Sequence, residues 1–279
     1  LSVKTRIVSA IIGLLLFGCV LIFRNRMPII LDICISIINF MAVWEILDST
    51  KLVKNRKLTA ICSAFAIILP FVNSGFLPVN KELFNVVFGV VVLVSALAMY
   101  KTLKISELAC AFAFTWFVSY AFSSLLMIIR MADGQGLFYF ILAFSFAWSC
   151  DGGAYFCGIL FGKRKLAPVI SPKKTVEGAV GGIVCSVIMT FIMCIGYNFL
   201  NSGVYSANIL LLVLITPFFA VAGILGDLLA SFIKRSCNIK DYGNIIPGHG
   251  GILDRFDSIM LIAPLMYVAL NLITFVNPV

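Results

Sequence analysis

Residues 209–233 read ILLLVLITPFFAVAGILGDLLASFI, twenty-five positions that carry one carboxylate, Asp227, and no Lys or Arg. A helix needs roughly 20 apolar residues to cross a bilayer core. In hydrocarbon only helices and closed barrels satisfy every backbone N–H and C=O. Barrel strands alternate in polarity over about 10 residues, whereas this run is continuous, so it reads as a membrane helix. Eight further stretches behave in the same way, and together the nine run about 7–23, 28–48, 58–73, 84–100, 105–129, 137–161, 178–200, 207–233 and 257–276. The expected fold class is an all-α integral membrane protein, a polytopic helical bundle of about nine transmembrane helices. Composition agrees: 62% of the 279 residues are hydrophobic and 12% charged, against about 45–50% and 25% in soluble domains. An ordinary soluble globule, a disordered chain and a secreted disulfide scaffold are excluded. The first stretch is not followed by a small-residue cleavage site, so it reads as a span and not as a cleavable signal peptide. The nine cysteines are odd in number, form no C-x-x-C and lie mostly inside apolar runs, as small packing residues do.

The net charge is +9. In a soluble chain that balance would suggest nucleic acid; in a membrane protein it marks the cytoplasmic face, and no nucleic acid is expected. With the N-terminus cytoplasmic, 17 of the 21 Lys and Arg fall on the cytoplasmic side and 4 on the other. That asymmetry predicts the N-terminus inside and the C-terminus outside. Half of the twelve carboxylates and the single histidine lie between residues 151 and 257. The chain therefore divides into a scaffold, 1–130, and a catalytic region, 131–279, with cytoplasmic loops 162–177 and 234–256.

The loop after the eighth span is the least ordinary segment: residues 231–257 read SFIKRSCNIKDYGNIIPGHGGILDRFD. It interleaves Lys234, Arg235, Lys240 and Arg255 with Asp241, Asp254 and Asp257, around His249. Gly248, Gly250 and Gly251 flank that histidine; glycine lets a backbone approach a ligand closely, and successive N–H groups in such a turn can cradle an anion. A plain Gly-Pro turn would not account for the charges. Upstream, Asp227 sits at membrane depth, where a carboxylate costs about 2.5–3.5 kcal/mol by insertion scales. On a helix Asp227, Ser231, Lys234 and Arg235 share one face, and Asp254, Asp257 and Ser258 share another at the start of the ninth span. A structural salt bridge between helices is the alternative. The loop between spans six and seven carries Asp151, then Lys163, Arg164 and Lys165, then Ser171-Pro-Lys-Lys-Thr-Val-Glu-Gly178. Ser171 reads as an N-cap with Pro172 at N1, and a helix N-terminus beside Lys173 and Lys174 suits a phosphate. Basic ballast plus a cap is the alternative. The pairs Gly158/Gly162 and Gly178/Gly182 read as close helix packing.

The run 231–257 resembles the signature of the phosphatidate cytidylyltransferases, or CDP-diacylglycerol synthases: S-x-apolar-K-R, K-D, then apolar-P-x-H-G-G-apolar-x-D-R-apolar-D. Trp148–Tyr155, Phe161-Gly-Lys163, Leu166-Ala-Pro168, Ser171-Pro-x-Lys-Thr175, Glu177-Gly178 and Gly226-Asp-Leu228 are also similar to that family. Two positions depart from it: Ala230 stands where the family commonly has Glu, and Gly152 where it has Ser or Thr.

The resemblance implies transfer of the cytidylyl group of CTP to phosphatidic acid, giving CDP-diacylglycerol and pyrophosphate with Mg²⁺. CTP, phosphatidic acid and the lipid bilayer are the implied partners, and a second copy of the chain is a candidate one. The implied catalytic residues are Asp227, Asp254, Lys234, Arg235, Lys240, Asp241, His249 and Arg255. Ser171, Lys174, Thr175, Ser231, Gly250 and Gly251 would contact substrate. Asp227 and Asp254 would hold Mg²⁺, and Asp257 and Asp151 would stand behind them or hold a second cation. His249 stays open between phosphate contact, loop structure and general base. The implied location is the bacterial inner (plasma) membrane, with the active site facing the cytoplasm. A CTP-dependent polyprenol-type lipid kinase and a non-enzymatic transporter are the competing readings.

Overall fold

A computed structural model of the chain describes residues 26–131, 134–201, 203–246 and 250–279, together with 15, 18, 19, 21 and 22. Among the described residues, seven helices are long and apolar enough to cross a membrane. They are α1 (Pro28–Ser49), α2 (Arg56–Asn73), α3 (Lys81–Ala98), α4 (Ile105–Ile129), α5 (Gly136–Phe161), α6 (Val176–Leu200) and α7 (Ile209–Ser236). Two shorter helices follow, α8 (Leu253–Phe256) and α9 (Ile259–Leu272). Two antiparallel pairs complete the chain: β1 (Lys165–Ala167) with β2 (Ser171–Thr175), and β3 (Tyr205–Ala207) with β4 (Val276–Pro278). The protein is an all-α polytopic membrane protein with these small ribbons in its loops.

The second to eighth expected spans match α1 to α7 within three residues at either end. The first, 7–23, falls largely outside the described residues. The ninth is shorter than expected, because α9 has 14 residues, about 21 Å of helix. The β-branched Ile273, Thr274 and Val276 favour extended backbone, and Val276–Pro278 pairs with Tyr205–Ala207 instead of continuing the helix.

Several helix starts carry side-chain caps. Asn55 Oδ1 accepts the N–H of Lys57 at 3.0 Å, and Asn80 Oδ1 that of Leu83 at 2.9 Å. The cap expected at Ser171 lies four residues later. Ser171-Pro172 belongs to β2, since a residue before proline is pushed toward extended backbone. Thr175 is the N-cap of α6, its hydroxyl accepting the Gly178 N–H at 3.1 Å. Glu177 in that first turn accepts the N–H groups of Lys163 and Arg164 at 3.0 and 3.1 Å. It thereby ties the start of the ribbon to the helix.

The chain forms two compact units. One holds the described residues up to Met127 with Ile233–Phe256; the other holds Ile128–Phe232 with Asp257–Val279. The first unit is built on α1 to α4. Its α1 turns Asp32, Ser36 and Asn39 inward, and Asn39 Nδ2 donates to the Ala66 carbonyl at 2.6 Å and to Ser119 Oγ at 3.0 Å. In the second unit, α5 and α6 pack through glycines: a Cβ on Gly182 would fall 2.6 Å from the Cys150 carbonyl, and one on Gly178 2.7 Å from that of Ala154. These glycines are packing residues, as expected. α3 and α6 bury few of their side chains and leave large apolar ones exposed, a surface that in a membrane faces lipid.

Candidate active site

In the first unit the segment after α7 folds back on itself. Lys234, in the last turn of α7, is buried, and its Nζ lies 2.7 Å from Asp254 Oδ1. The same ammonium stands 5.3 Å from the centre of the Tyr242 ring. Asp254 Oδ2 accepts the N–H groups of Tyr242 at 2.8 Å and of Gly251 at 3.0 Å. Asp254 is 6% exposed and takes three donors, which is how a buried carboxylate is made tolerable. Ile246 N–H donates to the Gly250 carbonyl at 3.0 Å. Gly250 has φ +85°, with Asp254 Oδ2 3.0 Å from where a Cβ would stand. A side chain there would be strained and crowded.

Glu45 of α1 completes this arrangement. Its two oxygens accept the N–H groups of Ile252 at 2.9 Å and Leu253 at 3.0 Å. So the consecutive N–H groups of Gly251, Ile252 and Leu253, at the end of the glycine turn that the sequence suggests as an anion cradle, are taken by the chain's own carboxylates Asp254 and Glu45. Sequence reasoning placed Glu45 in the scaffold. The available signal was a carboxylate inside an apolar helix, which needs a partner somewhere.

Around this core the other cations are exposed. Arg235 donates to the Ile239 carbonyl at 3.3 Å, while Lys240 and Arg255 lie open at the surface with Asp241. His249, with Pro247 and Gly248, lies outside the described residues.

In the second unit, Asp227 meets Lys174: Nζ lies 2.5 Å from Oδ2, and both side chains are about a quarter exposed. Ser231 Oγ donates to Asp227 Oδ1 at 3.3 Å, so part of the expected helical face is realised. A Cβ on Gly226 would fall 2.6 Å from the Asp257 carbonyl; glycine there lets α7 touch the backbone leading into α9. Asp151 Oδ2 accepts the Ser258 hydroxyl at 3.2 Å, and Asp257 Oδ1 accepts the Ser258 N–H at 2.9 Å. Ser171 is half-buried in β2 and Thr175 is buried as the α6 cap.

The single helix expected to carry Asp254, Asp257 and Ser258 is interrupted. Asp254 lies in the four-residue α8 and Ser258 immediately precedes α9, with a turn between them. The three donors drawn onto Asp254 tie α8 to the loop.

Mg²⁺ takes hard oxygen ligands, usually one or two carboxylates completed by water and substrate phosphate. The second unit offers Asp227, Asp151, Asp257 and the Ser258 hydroxyl, all of this type. Among the described residues no three His, Cys, Asp or Glu converge on one point. A cation there would rest on one or two carboxylates, which fits Mg²⁺. Both oxygens of Asp254 are already engaged by Lys234, Tyr242 and Gly251.

Residues 4–273 match the model of the cytidylyltransferase family. The phosphatidate cytidylyltransferase of Staphylococcus haemolyticus is 36% identical over 270 residues, 96% of this chain and 98% of its own length. That of Staphylococcus saprophyticus is 37% identical over the same shares. That of Bacillus subtilis is 35% identical over 275 residues, 97% of this chain and 98% of its own. Matched almost from end to end by the model and by each of these relatives, the chain belongs to the cytidylyltransferase family.

Proposed function

We propose that this protein transfers the cytidylyl group of CTP to phosphatidic acid, making CDP-diacylglycerol for phospholipid synthesis. An oxygen of the lipid phosphate bonds to the α-phosphorus of CTP, and the bond from that phosphorus to the bridging oxygen breaks, releasing pyrophosphate. What supports the reading most is the near-complete cover by relatives named for this activity, 96% of this chain or more. The second pKa of a phosphomonoester is about 6, so the nucleophile is already ionised at neutral pH and needs no strong base. The protein's work is then positioning and charge neutralisation, as in phosphoryl transfer generally. Lys174, Lys234, Arg235, Lys240 and Arg255 are the cations for it, and Mg²⁺ at Asp227 would offset charge on the departing pyrophosphate. Purified protein given CTP, phosphatidic acid and Mg²⁺ should release pyrophosphate and CDP-diacylglycerol in equal amounts. Pyrophosphate release that does not require phosphatidic acid would contradict the reading.

We also place the segment 234–256 on the cytoplasmic side of the bacterial plasma membrane, from the basic asymmetry of the loops. In a background without the native cysteines, a membrane-impermeant thiol reagent added outside intact cells should label Val279→Cys and miss Ile245→Cys. Labelling at 245 from outside would overturn this orientation.

A further inference from the structure

We infer that Glu45 is a positioning residue of the transfer site: it sets the turn that carries Gly251, Asp254 and Arg255. The inference rests on the function proposed above. Glu45 is 4% exposed within α1, and a carboxylate inside an apolar helix must be compensated. Backbone supplies that compensation: the Ile252 and Leu253 N–H groups, more than 200 positions along the chain, donate to its two oxygens at 2.9 and 3.0 Å. These are the amides that lead into α8, the helix of Asp254 and Arg255.

Two glycines adapt the loop to this one side chain. A Cβ on Gly251 would stand 2.5 Å from Glu45 Oε2, and a Cβ on Gly243 would overlap the same carboxylate. Neither glycine has positive φ, so backbone conformation does not demand glycine at either position; the close approach of Glu45 does. The far end of α8 is held by Phe256, whose ring packs edge-on against Phe122 of α4 at 5.4 Å. Glu45 therefore fixes the entry to α8 and Phe122 its exit, so the direction in which Arg255 points is decided by the scaffold helices.

The test uses the purified full-length protein in detergent. Glu45→Gln keeps the size of the side chain but sets an amide donor against a backbone donor. Its kcat should fall at least about tenfold, the loss of one charge-assisted hydrogen bond, while KM for CTP changes less than about threefold. A general loss of folded protein would scale the apparent kcat and the thermal transition together; here the transition should persist. Hydrogen exchange gives a readout free of catalysis: the Ile252 and Leu253 amides should exchange at least about tenfold faster, with those of α4 unchanged. A second pair guards against a variant that fails to fold. Gly251→Ala should be impaired by the clash with Glu45. Adding Glu45→Asp, which withdraws the carboxylate by one methylene, should restore a large part of the lost activity. If the wild type makes no CDP-diacylglycerol but the exchange result holds, the proposed function falls, and what stands is that Glu45 holds the turn leading into α8. Unchanged exchange at 252 and 253 in Glu45→Gln, or wild-type kcat in that variant, overturns the inference.

Discussion

Asp227→Asn is expected to lower turnover by about a hundred- to ten-thousand-fold, since it weakens two charge-assisted interactions of roughly 1.5–3 kcal/mol each. One is the contact with Lys174 Nζ at 2.5 Å; the other is the proposed hold on Mg²⁺. Asparagine keeps the shape and can still accept from Ser231 Oγ, so the fold should be little affected. The ion pair is partly exposed, and such pairs contribute little to stability. Steady-state turnover across a Mg²⁺ titration, with a thermal melt of the same preparation, checks both halves. Near-normal Mg²⁺-dependent turnover would remove Asp227 from the metal site and leave it a structural partner of Lys174.

Lys234→Met should be the most destabilising of the single changes considered. Methionine fills a similar volume but leaves the Asp254 carboxylate, 6% exposed, with its two N–H donors and no cation. Removing one member of a buried ion pair costs about 3–5 kcal/mol. The melting temperature in detergent should fall sharply, with activity lost. Lys234→Met combined with Asp254→Asn removes both charges, so the double variant should melt above the Lys234→Met single while staying inactive. If the two changes add, the pair is not coupled, and the 2.7 Å contact does not hold the loop.

What the sequence makes legible here follows from range and regularity. The spans from α1 to α7 could be read because each is a continuous apolar run, and hydrocarbon leaves a helix as the one way to satisfy its backbone. The charged residues of 231–257 could be read because they are packed into one short segment. The start of α6 was misplaced because Ser171-Pro172 and Thr175 both resemble caps, and the pairing of Ala167 with Ser171 is tertiary information. A face shared by Asp254, Asp257 and Ser258 requires one helix, whereas the chain forms two, α8 and α9, with a turn between them. Glu45 was out of reach because its partners lie on the far side of the sequence and are backbone amides, which leave no trace in side-chain pattern.

The most direct test of the transfer itself follows the phosphorus. Purified protein is incubated with phosphatidic acid, Mg²⁺ and CTP labelled on either the α- or the γ-phosphate, and the lipid is extracted. Cytidylyl transfer puts the α-label into lipid and leaves the γ-label in water-soluble pyrophosphate. The expected result is α-label in CDP-diacylglycerol, with none of the γ-label in the lipid. Appearance of the γ-label in lipid would mean phosphoryl transfer of the kinase type and would contradict the function proposed for this chain.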